Sequence, residues 1–67
     1  MNRKAQLLLE ARAYLKGARQ HVRWAGGGSP GSALDEIAYA RDYLHEAAAR
    51  LAELKRIEDA AGDDIPF

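Results

Sequence analysis

The sequence predicts an all-α fold: a helical hairpin that pairs with a second copy into an antiparallel four-helix bundle. Three observations predict it. Gly26, Gly27, Gly28, Pro30 and Gly31 cluster between two long stretches otherwise free of helix breakers, apart from Gly17. Both stretches carry apolar residues at helical spacing, three and four positions apart. The apolar arcs are wider than one seam needs, and an arc of about 100° or more implies two neighbours for each helix.

The first helix is expected over residues 2–25. Leu8, Leu15 and Val22 share one heptad position, and Ala11, Ala18 and Ala25 follow each of them by three residues. These six form one narrow stripe, with Lys4 as the polar misfit at its start. The connection is expected over residues 26–32. Ser32 is a candidate N-cap, with Asp35 three residues on; Ser29 with Pro30 at the first helical position is the competing start. The second helix is expected over residues 33–61, with Gly62 as its stop. Its stripe is Ile37, Leu44 and Leu51, with Glu58 as misfit, and Ala40, Ala47, Leu54 and Ala61 three residues after each. An acidic tail, residues 62–67, ends in Ile65-Pro66-Phe67; it is a frayed end or a segment that docks on an apolar groove.

Alternation of alanine with a large aliphatic residue predicts close approach of the helices, because alanine leaves room for the facing backbone. Leu8, Leu15, Val22, Ile37, Leu44, Leu51 and Leu54 are the expected association core. Tyr14, Tyr39, Tyr43 and Ile57 are the expected wider interface, with Leu7 extending the stripe beside Tyr14. A chain of 67 residues without cysteine has no disulfide to staple it, and so small a core leaves association as its support.

In length, hairpin layout and Ala/large alternation the chain resembles the Rop-type plasmid RNA-binding proteins. That resemblance implies a dimeric four-helix bundle that binds paired RNA loops along one helix face. It is a resemblance of architecture over the whole chain, and no RNA-contacting motif matches residue by residue. The tripeptide Trp24-Ala25-Gly26 also resembles the Trp-x-Gly turn of the small secreted helical-hairpin proteins, which are dimeric too. The chain is about a third shorter than those. It also departs from their pattern of a tyrosine followed four residues later by an acid: Tyr43 follows Tyr39 at that spacing, and Ala47 follows Tyr43.

Net charge is zero, but its distribution is not even. Residues 1–28 carry six cations against Glu10 alone, a net +5, and residues 29–67 carry four against nine carboxylates, a net −5. An antiparallel hairpin sets the basic helix beside the acidic one. Arg12, Lys16, Arg19 and Arg23, spaced 4, 3 and 4, share one side of the first helix and form the candidate nucleic-acid stripe. Asp35, Asp42, Glu46 and Glu53 form the acidic counterpart, with Glu46 and Arg50 as an i, i+4 pair.

Catalytic chemistry is not expected. The chain has no Cys and no Thr, and its two serines, Ser29 and Ser32, lie in the turn. Gly26, Gly28 and Gly31 match G-x-G-x-x-G in spacing, but a helix precedes them where dinucleotide binding needs a strand. With facing residue numbers summing to about 57–58, His21 and His45 sit about eight residues apart in level, or roughly 12 Å at helical rise. That separation excludes a shared metal within one chain, so no cofactor and no metal are expected. The longest aliphatic run is Leu7-Leu8-Leu9, too short for a membrane span or an export signal, and the cytoplasm is the expected location. The expected function is a non-catalytic interaction module (an adaptor, inhibitor or regulator) acting as a homodimer on a protein partner. The alternatives are a nucleic-acid-binding regulator and a structural subunit of a larger assembly.

Overall fold

The computed structural model describes residues 2–63, and the side chains of residues 2–60. It is a hairpin of two helices, α1 (Arg3–Ala25) and α2 (Pro30–Asp63), measuring 56 × 20 × 14 Å. Among the described residues there is no strand.

Asn2 starts α1. Its side-chain oxygen accepts from the Ala5 amide at 2.7 Å, which satisfies a donor that the first turn leaves orphaned. At the other end the Gly26 and Gly27 amides donate back to the carbonyls of Arg23 and Trp24, both at 3.2 Å. The chain then reverses within residues 26–29, a shorter connection than the expected 26–32. Helix α2 begins at Pro30 because Ser29 is its cap. The Ser32 amide donates to Ser29 Oγ at 3.2 Å and the Ala33 amide to the Ser29 carbonyl at 2.8 Å. Proline suits the first helical position, since its missing N–H is not needed there. Ser32 is therefore inside the helix and does not cap it. Space at Gly28 is tight: a Cβ there would lie 3.1 Å from Ser32 Oγ, which would have to give way by a few tenths of an ångström. At its far end α2 continues through Gly62 to Asp63. Residues 64–67, with Ile65 and Phe67 of the expected tail, lie outside the described residues.

Alanine dominates the seam. Leu7, Ala11, Ala18, Ala40 and Ala47 are buried, and Leu7 is the one large side chain among them. Tyr14, His21 and Ala25 of α1 and Ala33, Glu36, Tyr43, Arg50, Leu54 and Ile57 of α2 are half-buried around this line. Both helices thus meet along a 3.5-residue repeat, the spacing of left-handed helix pairs.

The internal seam departs from the sequence expectation in one respect. Leu8, Leu15, Val22, Ile37, Leu44 and Leu51 do not fill it; each is between 36% and 51% exposed. Leu7, Tyr14 and Tyr43, expected on the extension of the stripe and at the wider interface, line it instead. The reason is geometric. Alanines bring the backbones too close for a line of leucines between them, so the large residues stand on the two shoulders of the seam. Tyr14, His21, Glu36, Tyr43 and Arg50 meet one another along one shoulder. Leu8 follows Leu7, and Leu15, Val22, Ile37, Leu44 and Leu51 each follow a residue of that line, by one position, a rotation of about 100°. In antiparallel helices the same rotation carries both sets to the same side, so the six aliphatics form one face spanning α1 and α2.

Candidate interaction faces

The polar-aromatic shoulder holds the hairpin's cross-helix hydrogen bonds. Arg3 forks onto Glu53, with Nη2 at 2.9 Å from both carboxylate oxygens. Arg50 Nε donates to Glu10 Oε1 at 3.2 Å, and its Nη1 donates to Glu46 Oε2 at 2.5 Å. The same guanidinium lies 4.6 Å from the centre of the Tyr14 ring. Gln6 donates to the other Glu10 oxygen at 3.1 Å. The hydrogen bond from Arg50, then that from Gln6, holds the Glu10 carboxyl below its ordinary value. Glu46 first, then Glu10, raises the Arg50 guanidinium.

His21 sits where the two helices are closest to the turn. Its Nδ1 lies 2.5 Å from Glu36 Oε2, and a carboxylate only accepts, so Nδ1 carries the proton. Its ring stacks on Tyr43 at 5.1 Å and 20°, leans on Tyr39 at 5.3 Å, and takes Trp24 edge-on at 5.2 Å. Tyr14 and Tyr43 meet across the seam at 5.9 Å. Of the residues expected at the wider interface, Tyr39 and Tyr43 pack on His21 and Tyr14 meets Tyr43. Ile57 is separate from it, near the Arg3 end.

The pairing of a basic with an acidic helix runs through residues other than the two stripes as wholes. Arg12, Lys16, Arg19 and Arg23 are all exposed, and among the described residues none takes part in an ion pair. Arg12 and Arg19 each follow a buried alanine by one position, which sets the stripe on the outer edge of α1 beside the aliphatic face. Of the acidic stripe, Glu46 and Glu53 are engaged by Arg50 and Arg3, while Asp42 lies 3.8 Å from Arg41. Sequence reasoning missed Glu10, Glu36 and the cross-helix role of Arg50. The sum rule for facing residues carries the signal: 10 and 50, 21 and 36, and 3 and 53 sum to between 56 and 60.

His45 is exposed on α2, away from His21. Among the described residues no three His, Cys, Asp or Glu side chains converge as a metal set, and no helix is long and apolar enough to cross a membrane.

Comparison with known proteins finds no matching family model, no matching curated protein and no matching solved structure. The functional reading therefore rests on the faces themselves.

Proposed function

We propose that this chain is a non-catalytic interaction module that works as a homodimer, two hairpins burying their aliphatic faces against each other as an antiparallel four-helix bundle. One observation carries the reading: Leu8, Leu15, Val22, Ile37, Leu44 and Leu51 stand exposed together on one face. A contiguous apolar face of this kind marks an interaction site. The side of the hairpin that carries this face measures 56 × 20 Å, and together with the residues flanking the six aliphatics it is large enough for the about 800 Å² per partner that stable interfaces bury. Because α1 and α2 both contribute to the face, a second copy meets it with the same aliphatic residues, as in four-helix bundles built from two hairpins.

Charge favours one of the two stackings. With α1 over the other copy's α1, the two cationic stripes run side by side and repel. With α1 over the other copy's α2, each stripe lies beside the net-negative helix. The second is the arrangement proposed, with the two-fold axis parallel to the helices. As adaptor, inhibitor or regulator, the dimer then meets its protein partner through its outer, charged surfaces.

Light scattering behind a sizing column, at micromolar protein and two salt concentrations, tests it. A mass near twice 7.4 kDa at both salts is expected, because the buried contact is apolar. A folded monomer overturns the reading.

A second reading, a nucleic-acid-binding regulator, is supported by the absence of ion pairs at Arg12, Lys16, Arg19 and Arg23 among the described residues. Such binding weakens steeply with salt through counterion release and is lost on Arg12→Glu with Arg19→Glu while the helical content stays. Absence of any salt-sensitive binding to RNA or DNA removes it.

A further inference from the structure

The shoulder opposite the aliphatic face carries a groove of about 190 Å³ lined by Tyr14, Tyr39, Asp42, Tyr43 and Glu46. Its composition repeats a site that the chain already fills. One turn further along α2, a tyrosine ring (Tyr14) and two carboxylates (Glu10 and Glu46) hold the guanidinium of Arg50. The groove offers the same kinds of group, tyrosine rings and two carboxylates. Here no cation of the chain is seated: among the described residues, Asp42 has only Arg41 at 3.8 Å, beyond hydrogen-bond reach. Glu46 gives one oxygen to Arg50 and keeps the other. Tyr39 is 55% exposed and Asp42 is mostly exposed, so the groove is open to an approaching side chain.

We infer that this groove binds an arginine side chain presented by a partner protein. The guanidinium is planar, so it stacks flat on an aromatic ring while its edge forks onto a carboxylate. Tyr39 supplies the ring face, and Asp42 with the second oxygen of Glu46 supplies the acceptors. A lysine ammonium meets the same charge without the planar stacking, so arginine is preferred over lysine. The site lies on the opposite side of the hairpin from the aliphatic face. It is therefore open in monomer and dimer alike, and it does not rest on self-association.

The test is amide-shift mapping by NMR on the full chain, titrated with N-acetyl-arginine amide. The comparison probes are N-acetyl-lysine amide and N-acetyl-citrulline amide, the latter having nearly the shape of arginine without its charge. Saturable shifts at Tyr39, Asp42 and Tyr43 are expected with the arginine probe at millimolar concentration, weaker ones with lysine and none with citrulline. Tyr39→Ala should weaken arginine binding by about threefold, the scale of an exposed cation–π contact, and Asp42→Asn by about the same factor, the scale of an exposed ion pair. Circular dichroism and solution mass should not change in either variant, which separates loss of the groove from loss of fold or of dimer. Non-saturable shifts, or an equal response to citrulline, overturn the inference.

Discussion

Arg50 reaches across the seam to Glu10 at 3.2 Å while the Tyr14 ring supports its guanidinium from below at 4.6 Å. One side chain thereby ties α2 to a carboxylate and a ring of α1, at a point where the alanine seam supplies little packing. Arg50→Met should lower the melting temperature by more than Lys55→Met does. Lys55 pairs only with Asp59 of its own helix and is well exposed, and exposed pairs of that kind contribute little. Equal effects in thermal melts would mean that Arg50 serves α2 alone.

The same contact sets an acid dependence. Glu10 has its folded pKa lowered, chiefly by the Arg50 hydrogen bond. Its contribution to stability is therefore fully present above the ordinary carboxylate range and lost as pH falls through the lowered folded value. Glu10→Gln should flatten the stability-versus-pH curve in that acid window and leave its shape at neutral pH unchanged. Lys55 has the opposite sign: raised by Asp59, it contributes below its ordinary value and stops contributing as pH rises through the raised one.

Ala47 is 1% exposed against α1. Ala47→Leu should destabilise the chain by roughly 1–3 kcal/mol through overpacking, measured by denaturant unfolding. Ala52→Leu, on an exposed position of the same helix, should stay within about 0.5 kcal/mol. A tolerant Ala47 would mean that the helices are not held at alanine spacing.

Gly17 lies inside α1 without using glycine's freedom, and a Cβ there would meet the Tyr43 ring at 3.4 Å, an ordinary contact. Gly17→Ala should therefore raise stability by about 0.5–1 kcal/mol, the helix-interior cost of glycine. A loss of stability would show that Tyr43 needs the empty volume.

Leu15 and Leu44 stand exposed at the middle of the aliphatic face. Lysine at both positions should convert the proposed dimer to a monomer on the sizing column, whereas lysine at Ala13 and Ala52, exposed elsewhere on the hairpin, should not. A dimer that survives the Leu15 and Leu44 changes would have to be built from another surface.

Two helices and a glycine-rich reversal were legible in the sequence because breaker clustering and helical spacing are local properties. The choice of shoulder was not. Leu8 and Leu7 are neighbours in sequence, and both continue a stripe with Ala11 and Ala18; which of them lines the internal seam depends on what α2 offers opposite. Glu10, His21, Glu36 and Arg50 decide it through hydrogen bonds between residues 15 and 40 positions apart, which no periodicity within one helix encodes. The start of α2 was a close contest between two serines. It turned on proline's fit at the first helical position, a local preference that favours Ser29 over Ser32.

The poverty of the seam has a consequence for dosage. Five buried residues among those described, four of them alanine, leave a single hairpin little to hold it folded, so in a dimer of the kind proposed much of the burial arrives only when two copies meet. Folding and pairing then become one concentration-dependent event, since stability in such systems is inseparable from the amount of protomer. Below the pairing threshold such a hairpin would open more often and be cut by proteases; above it the proposed dimer would be protected. Abundance itself would then act as the switch, with a response that rises as the square of the amount made below the pairing threshold and in proportion to it above.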